Sequence, residues 1–479
     1  RRPPRSTPKP SSAASDVYKR QVVVVGAGIS GIGAAYNLKT RCPNKSYTIL
    51  EGRSELGGTW DLFKYPGVRS DSDMHTMGFK FKPWRSPKTI ADAPSILSYL
   101  NETVDEFDIR KKIQFNKKVI SAKWSSLEAL WNLQVEDQSD KTVEEMTCNI
   151  LYLCGGYYNY DEGYTPEFKN VEAFEGQVIH PQKWPEDLDY TDKEVIVIGS
   201  GATAVTIVPS MAEKVKHITM LQRSPTYYFA APDEDKIGNF IKKFTSDRLG
   251  YFLVRWKNIL MQRVMLNRLR KHPEKTKEML INHVKEHLGE DYDVDKHFTP
   301  RYMPWDQRLC FVPNGDMFQA MNNGKATVVT DTINEFTSKG IKLDSGEELE
   351  ADIIITATGL NMRLLNGIDI KIDNETLDIS QKTQYKTMMF SDVPNLIATF
   401  GYTTASWTLG ADLISEYACK LINLLDKKDC DYFCPETGDD VLAETDYLDL
   451  NSGYIERVKH QLPKQGSRDP WINSQNYLR

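Results

Sequence analysis

The stretch Gln21–Gly31, which reads QVVVVGAGISG, decides the fold of this 479-residue chain. Its valines, Val22–Val25, form an uninterrupted β-branched run typical of parallel strands that are buried on both faces. The glycines that follow, Gly26, Gly28 and Gly31, match the GxGxxG pattern of a turn between a strand and a helix. The first glycine permits the tight turn, the second lets a pyrophosphate approach the backbone, and the third lets the helix pack closely against the strand. We therefore expect a nucleotide site at this turn.

The residues after this turn complete a β-α-β unit and indicate its ligand. A helical stretch runs through Lys39, and a second strand covers Tyr47–Glu51. Glu51 lies twenty residues after Gly31, where a carboxylate accepts hydrogen bonds from ribose hydroxyls and repels a 2′-phosphate. The site is therefore predicted to bind FAD or NAD rather than NADP, with Ser30 as a further candidate donor to the phosphates.

The same pattern returns later in the chain with a different ending. The strand Glu194–Ile198 precedes the turn Gly199–Ala204, in which alanine replaces the third glycine, and a helical stretch and the strand His217–Gln222 follow. Arg223 stands where the first unit has an acid, and its forked guanidinium suits a 2′-phosphate. This unit is therefore predicted to bind NADPH. The residues predicted to hold NADPH are Gly199, Ser200, Gly201, Ala202, Thr203, Ala204, Val205, Arg223 and Ser224.

The bulk composition excludes several other classes of protein. A net charge of −6 and a pI near 5.9 argue against a general nucleic-acid binder. No apolar run approaches the ~18 residues of a membrane span. The seven cysteines include no CxxC pair, so neither a disulfide framework nor a zinc or other metal site is predicted. This use of cysteine is typical of a reducing, cytoplasmic compartment.

A basic helical segment interrupts the second unit. The stretch Lys236–Leu288 is charged and helix-forming, and within it Lys236–Lys277 has 12 Lys or Arg against two acids, a net charge of +10. This pattern favours a solvated helical lid, and peripheral contact with a membrane surface is the alternative.

Two longer motifs identify the family that the chain resembles. The segment FEGQVIHPQKWP fits FxGxxxHxxxWP through Phe174, Gly176, His180, Trp184 and Pro185. The segment Gly57–Asp71 contains GGTW, then YPG, then Asp71 in the order GGxWxxxxYPGxxxD. Both motifs resemble those of the Baeyer–Villiger monooxygenases, the class B flavoprotein monooxygenases. The resemblance extends from about Val22 to the C-terminus.

This resemblance implies an α/β fold with two Rossmann-like dinucleotide-binding domains, one for FAD and one for NADPH, and a helical insertion. It also implies a reaction in which NADPH reduces FAD and O₂ then forms a C4a-peroxyflavin. One oxygen atom is inserted into a ketone to give an ester or lactone, and sulfides or thioamides are oxidised as well. A heteroatom-oxidising flavin monooxygenase without significant ketone activity is the alternative that remains open.

The resemblance also implies roles for individual residues. Arg308, within PWDQR, stands where the family keeps its catalytic arginine, and Asp71 would orient Arg308 or contact the flavin and nicotinamide. The fingerprint residue His180 is implied to couple the two domains during catalysis, with structural packing and direct proton transfer as the alternatives. Trp407 would line the substrate or nicotinamide side, or pack in the core. The implied FAD-side contacts are Gly26, Gly28, Ser30, Gly31, Glu51, Gly58, Thr59, Trp60, Asp61, Leu62, Arg69, Ser70, Asp71 and Val119.

The expected domain organisation follows from the positions of these motifs. Residues 1–21 are a Pro- and Ser-rich tail that is excluded from the fold. The FAD-binding domain is predicted for 22–158 and 361–479, and the latter includes a C-terminal segment. The NADPH-binding domain is predicted for 159–230, with the fingerprint at 174–185, and for 305–360. The helical insertion is predicted for 231–304.

Overall fold

The computed structural model describes residues 21–304, 306–307, 309–403, 405–438, 445–446 and 452–477. The predicted tail and the predicted catalytic Arg308 therefore lie outside the described residues.

The described strands are short, as is usual for a chain that alternates between strands and helices. They are β1 (Gln21–Val25), β2 (Ser46–Leu50), β3 (Ile113–Gln114), β4 (Lys117–Ser125), β5 (Leu130–Asp137), β6 (Val143–Cys148), β7 (Ile150–Leu153), β8 (Tyr158–Gly163), β9 (Gln177–Ile179), β10 (Glu194–Ile198), β11 (His217–Gln222), β12 (Tyr228–Ala231), β13 (Cys310–Pro313), β14 (Ala326–Thr330), β15 (Ile333–Phe336), β16 (Gly340–Leu343), β17 (Glu348–Glu350), β18 (Ile353–Thr356), β19 (Leu360–Met362), β20 (Asp369–Ile372), β21 (Glu375–Thr376), β22 (Gln384–Tyr385), β23 (Met389–Phe390), β24 (Leu396–Ala398), β25 (Thr445–Asp446) and β26 (Lys464–Gln465).

The described helices differ widely in length. They are α1 (Ile29–Arg41), α2 (Thr59–Leu62), α3 (Met74–Met77), α4 (Ala93–Glu106), α5 (Ala202–Ala212), α6 (Lys236–Lys243), α7 (Asp247–Lys271), α8 (Pro273–Leu288), α9 (Val294–His297), α10 (Asp316–Asn322), α11 (Trp407–Lys428) and α12 (Gly453–Glu456). Single 3₁₀ turns occur at Arg110–Lys112, Val171–Ala173, Pro181–Lys183, Leu364–Gly367, Ile379–Gln381 and Lys459–Gln461.

The first parallel sheet is built around β1. Its order is β24-β7-β1-β2-β3, and all of its pairings are parallel. The valines of β1 are buried, which is why this strand shows no alternation of polar and apolar residues. Because β2 and β7 lie on opposite sides of β1, the turn after β1 opens into the crevice where α/β proteins bind ligands.

The second parallel sheet repeats this arrangement around β10. Its order is β14-β11-β10-β18-β9, again with parallel pairings only. β11 and β18 flank β10, so the second glycine-rich turn occupies the equivalent crevice. The predicted α/β fold with two Rossmann-like units is therefore confirmed.

Two antiparallel strands connect the units. β8 leaves the first unit and β19 returns to it, and they pair with each other. The predicted domain borders at 158/159 and 360/361 fall at the start of β8 and within β19. These borders remain predictions.

Sheets that the sequence analysis did not predict cover the parallel sheets. β4, β5 and β6, with β20 and β21, form a layer whose apolar side chains, including Trp124 and Trp131, pack against one face of the first sheet. Helices α1, α4 and α11 cover the other face. The β15–β17 meander covers part of the second sheet through Phe336 and Ile341.

The predicted helical insertion is confirmed and consists of α6, α7, α8 and α9. α7 is tied to the first unit by a buried ion pair, in which Nη2 of Arg255 lies 2.8 Å from a carboxylate oxygen of Asp412 on α11. Nη1 of Arg255 also donates to the carbonyl oxygens of His75, Thr76 and Gly78. Among the described helices, none is both long enough and apolar enough to cross a membrane.

The two glycine-rich turns differ in how closely the helix approaches the strand. A Cβ at Gly31 would overlap the carbonyl oxygen of Gly26, so only glycine fits the first turn without a backbone shift. The corresponding position of the second turn is Ala204, whose side chain is fully buried. The first helix is therefore seated more tightly on its strand.

We predict that Gly31→Ala destabilises the protein by about 1–3 kcal/mol because the new methyl group forces β1 and α1 apart. Thermal unfolding and the flavin content of the purified protein would measure this effect. The matched control is Ala204→Gly, which is expected to cost only ~0.5–1 kcal/mol from backbone entropy. Equal stability of the two variants would contradict the steric argument.

Candidate functional site

The first glycine-rich turn is held against two strands. Gly26 has φ +103°, a conformation that favours glycine, and its N–H donates to the carbonyl of Leu50. A Cβ at Gly26 would lie 3.0 Å from the carbonyl oxygen of Cys154 and from Cα of Gly155. The turn therefore has no room for a side chain on this side.

Glu51 lies directly beside this turn. Its Oε2 accepts a hydrogen bond from the N–H of Ala27 at 2.7 Å, and its Oε1 accepts one from the N–H of Arg53 at 3.0 Å. Burial raises the pKa of the Glu51 carboxyl, while these two hydrogen bonds act to lower it. Each carboxylate oxygen has a lone pair beyond the one used here, so both remain available as acceptors. The ribose-binding role of Glu51 remains a prediction that this position supports.

The surroundings of the turn fit a dinucleotide. Gly28 faces Gly58 across a gap in which a Cβ on Gly28 would lie 3.6 Å from Cα of Gly58. The N–H of Gly57 donates to the carbonyl of Ala27 and holds the two loops together. α1 begins without a side-chain cap and without an acid in its first turn, so its N–H donors face the crevice. The gap between Gly28 and Gly58 has no side chains and lies next to the N–H groups at the start of α1. It therefore suits the pyrophosphate of the predicted FAD.

The residues that follow Gly58 form the short helix α2, which packs against the first unit. Trp60 and Leu62 pack with Tyr160 in a small apolar cluster, and Thr59 lies close enough to the Tyr160 phenol to lower its pKa, although burial raises it more. The Asp61 carboxylate accepts hydrogen bonds from Arg53 and Lys64. The side chain of Asp61 is therefore already engaged by neighbouring cations, and its predicted contact with the cofactor would involve its backbone.

The YPG segment of the same motif contacts the second unit. Gly67 has φ +78°, and a Cβ there would overlap the side chain of Ser210 on α5. The Tyr65 phenol lies beside Thr203, at the start of α5, close enough for Thr203 to lower its pKa against the larger effect of burial. The loop of the first unit thus rests against the second glycine-rich turn.

The residues after Gly67 continue this bridge. Arg69 forms a salt bridge with Asp316 at the N-terminus of α10. The Ser70 side chain is buried and donates to the carbonyl of Ser72. Asp71 is exposed and close enough to Tyr65 to raise the pKa of its phenol, though less than burial does. The predicted site residues 69–71 therefore lie where the two units meet.

The second glycine-rich turn is more open than the first. Gly199 has φ +133° and donates to the carbonyl of Leu221, while Gly201 has open space where a Cβ would be. α5 begins without a side-chain cap and without an acid in its first turn. The Ser200 hydroxyl interacts with that of Thr226 at 3.0 Å. Of the other predicted NADPH contacts, Ala202 is exposed, Thr203 is half-buried, and Ala204 and Val205 are buried.

The strand register identifies a residue that the sequence analysis missed. Gly26 and Gly199 bond to Leu50 and Leu221 in the same way, so Gln222, rather than Arg223, occupies the position equivalent to Glu51. Among the described residues, Oε1 of Gln222 has no hydrogen-bond partner although the side chain is buried. Arg223 and Ser224 follow as exposed residues. A neutral amide thus replaces the carboxylate beside an exposed arginine, which fits a phosphate-bearing ribose.

The fingerprint histidine clamps the two connections between the units. Nδ1 of His180 accepts a hydrogen bond from the N–H of Gln182 at 3.1 Å, so its Nε2 carries the proton and donates to the carbonyl of Gly359 at 3.2 Å. The imidazole also fills the space beside Gly163, where a Cβ would overlap it. Burial lowers the pKa of His180, so the ring is neutral at neutral pH.

The other fingerprint residues support this clamp. Phe174 is buried against Phe336, and a Cβ at Gly176 would overlap the carbonyl of Asp352 and the ring of Phe174. Trp184 is half-buried against the apolar core of the second unit, and Pro185 is the adjacent residue. The fingerprint therefore covers the edge of the second sheet, where the chain crosses between the units.

The predicted catalytic Arg308 lies outside the described residues, but the chain after it is described. Cys310, two residues further along, begins β13 and has its sulfur 3.6 Å from the carbonyl oxygen of Ser200. Tyr228 donates to the same carbonyl. The segment that follows Arg308 is thus anchored at the second glycine-rich turn.

Four further side chains lie at or near the first site. Nε1 of Trp407 donates to the Ser30 hydroxyl at 2.7 Å, and its ring packs against Tyr157 and Phe400. Trp407 therefore lies at the turn itself. Val119 is buried on β4, next to the segment where the N–H of Lys117 donates to the carbonyl of Glu51. Arg53 and Tyr160 were not predicted from the sequence. Arg53 could have been found because it follows Glu51 closely in the chain, whereas no sequence signal indicated Tyr160.

Known proteins resemble both the sequence and this structure. A family model described as flavin-binding monooxygenase-like matches residues 19–388. The FAD-containing monooxygenase EthA of Mycobacterium tuberculosis is 52% identical over 459 residues, which cover 96% of this chain and 94% of EthA.

Solved structures with lower identity share the fold. An oxidized steroid monooxygenase bound to NADP has a TM-score of 0.73 at 22% identity, over 86% of this chain and 87% of that one. Cyclohexanone monooxygenase with bound ε-caprolactone has a TM-score of 0.73 at 22% identity, over 86% of this chain and 89% of that one. The match of the family model over most of the chain, together with the identity to EthA, shows that this chain belongs to the flavin-binding monooxygenase-like family.

Proposed function

We propose that this protein is an FAD- and NADPH-dependent monooxygenase of the Baeyer–Villiger type. It uses O₂ to insert one oxygen atom into ketones, giving esters or lactones, and it also oxidises sulfides or thioamides. The observation that carries this proposal is the bridge from the 57–71 loop to the second glycine-rich turn, because it brings a flavin-type and an NADPH-type site together. The name of the EthA relative and the NADP bound to the solved steroid monooxygenase support the two cofactors.

The two sites would divide the binding of the cofactors. FAD would lie on the turn at Gly26–Gly31, with Glu51 accepting hydrogen bonds from its ribose and Gly58 and Thr59 beside its pyrophosphate. NADPH would lie on the turn at Gly199–Ala204. When bound, the two cofactors supply hydride transfer and the activation of O₂.

The chain's own residues would control charge at the reacting centre. Arg308 is proposed to hold a fixed positive charge next to the oxygen atoms that become negative during the reaction, because a guanidinium keeps its proton. Asp71 would orient that guanidinium from the 57–71 loop. Such a preorganised charge partner stabilises the transition state more than the ground state.

Selection of NADPH is proposed to depend on Gln222 and Arg223. The amide of Gln222 exerts no repulsion on a 2′-phosphate, whereas the carboxylate of Glu51 in the first unit does. The exposed Arg223 would then bind the phosphate with its guanidinium fork.

His180 is proposed to couple the two units rather than to transfer protons. Its neutral ring uses both nitrogens in hydrogen bonds, and it sits between the two connecting segments. A relative movement of the units would therefore change the contacts of this ring first.

The reaction class can be tested directly with isotopically labelled oxygen. The flavin-loaded protein, NADPH and a panel of ketones and sulfides under ¹⁸O₂ are expected to give esters or lactones that carry one labelled oxygen, detected by mass spectrometry. Labelled sulfoxide without labelled ester would assign the protein to heteroatom oxidation instead. Consumption of NADPH with only hydrogen peroxide as product would contradict both assignments.

We predict that Arg308→Ala lowers ester formation by about 10²–10³-fold because one preorganised charge partner is lost. Reduction of the flavin by NADPH, followed by its absorbance under anaerobic conditions, should change by less than about twofold. The exposed Arg301 offers a matched control, since Arg301→Ala removes the same charge seven residues earlier. Normal ester yields from Arg308→Ala would refute the catalytic assignment.

We predict that Arg223→Ala raises the KM for NADPH by about 10–100-fold, because a charge-assisted hydrogen bond to the 2′-phosphate is lost. The KM for NADH should stay within about twofold, since NADH has no such phosphate. Steady-state kinetics with the two cofactors on one preparation provide the comparison. Equal changes for both cofactors would exclude the proposed role in phosphate binding.

A further inference from the structure

The helix α6 presents its apolar side to solvent. Ile237, Phe240 and Phe244 recur at helical spacing and are 62%, 66% and 68% exposed. The polar side of the same helix faces the protein, where Asn239 donates to the carbonyl of Pro87 at 3.1 Å and Lys242 to that of Ser86 at 3.0 Å. An amphipathic helix on the surface of a monomer normally has the opposite orientation.

The neighbouring helix α7 also exposes apolar side chains. Its side chains Leu249, Phe252, Leu253, Leu260 and Val264 are between 41% and 67% exposed and follow helical spacing. This stripe is about 24 Å long at a rise of 1.5 Å per residue. The eight residues Ile237, Phe240, Phe244, Leu249, Phe252, Leu253, Leu260 and Val264 are named the docking face.

The docking face is on a rigidly held support. α6 packs directly on α7, where a Cβ at Gly238 would lie 3.0 Å from Cγ1 of Val254. On its opposite side α7 buries Tyr251 and Arg255 against the first unit. The exposed stripe of α7 is therefore distinct from the side by which this helix packs on the protein. Two neighbouring helices that both expose apolar stripes indicate an interaction site.

The charge around the docking face selects the kind of partner. Lys236–Lys277 carries +10 while the whole chain carries −6, so the remainder carries −16. Exposed cations of this segment include Lys236, Lys243, Arg248, Arg263, Arg268 and Arg270. Apolar residues flanked by Lys and Arg are the pattern of helices that lie in the interface of an anionic membrane. The same charges would repel each other across an interface between two copies of this chain.

A cavity beside α6 adds a place for lipid headgroups. It has a volume of about 390 Å³ and is lined by Arg85, Lys242 and Lys243 among others. Asp247 also lines it and pairs with Arg85, which leaves an excess of positive charge. The cavity lies on the polar side of α6 and its net positive charge is suited to an anionic phosphate group.

We propose that the docking face binds peripherally to a lipid bilayer that contains anionic lipids. Its apolar side chains enter the boundary between headgroups and acyl chains, and the surrounding Lys and Arg contact the headgroup phosphates. The helices lie on the membrane and do not cross it.

This arrangement would place the proposed oxidation site close to the membrane. Asn258 and Gln262, on the inner side of α7, donate to the carboxylate of Asp73, two residues after Asp71. If the proposed function holds, a lipophilic ketone or sulfide dissolved in the bilayer is the substrate class that this position favours. The binding itself does not depend on catalysis.

The test is co-sedimentation of the flavin-loaded protein with vesicles of phosphatidylglycerol and phosphatidylcholine, compared with vesicles of phosphatidylcholine alone. We expect binding to the anionic vesicles that is at least about tenfold stronger than to the neutral ones and that weakens with salt. The double variant Phe240→Ser, Phe244→Ser should lose about tenfold in affinity. The matched control is Leu127→Ser, since Leu127 is 96% exposed in the turn between β4 and β5, outside the docking face.

Three results would overturn the proposal: no sedimentation of the wild-type protein with anionic vesicles, equal binding by the double variant, or equal loss in Leu127→Ser. Sedimentation velocity on the same samples tests whether a second copy of this chain binds the docking face instead. A wild-type dimer that the double variant dissociates, without vesicle binding, would assign the docking face to a second copy of this chain. Oxidation of a water-soluble ketone, measured on each preparation, reports separately on the proposed function.

Discussion

The structure depends above all on one close contact, that of Gly67 with α5. A single Cβ at this position would collide with Ser210, so the 57–71 loop can lie against the second unit only because the residue is glycine. Arg69 secures the same loop to Asp316 through an ion pair, and Tyr65 lies beside Thr203. His180 and, from the helical insertion, Arg255 make further contacts between the units. Together with these contacts, Gly67 holds the 57–71 loop of the first unit against the helix that follows the second glycine-rich turn.

The two units show how one architecture acquires different electrostatics. Both turns have a positive-φ glycine bonded to the strand beside it, and both helices begin without side-chain caps. Besides the replacement of Gly31 by Ala204, the units differ in charge at the end of the second strand. There Glu51 supplies a buried carboxylate in the first unit, and Gln222 with Arg223 supplies an amide and a cation in the second. The two units thus place different charges at equivalent positions of a similar backbone.

Helix α7 of the insertion has one side that packs on the first unit and another side that is exposed to solvent. The inner side of α7 buries Arg255, whose charge is compensated by Asp412 and by backbone carbonyls of α3 and the residue after it. Such a pair adds specificity of position more than stability, since desolvation offsets much of its attraction. Its outer side carries apolar residues that the protein does not bury. The insertion therefore connects the loop around Asp71 to the molecular surface.

The sequence by itself determined the two β-α-β units, the helical insertion and the chemical character of both turns. This was feasible because Val22–Val25 and the glycine patterns act through local backbone sterics and strand burial. The equivalence of Gln222 with Glu51, the clamp made by His180 and the outward face of α6 were decided only by the tertiary structure. These features depend on strand register and on contacts between segments that are distant in the chain. For example, the imidazole of His180 contacts both Gly163 and Gly359. Hydrophobic periodicity shows that a helix has an apolar side, but only the packing of the chain decides whether that side meets the core or the solvent.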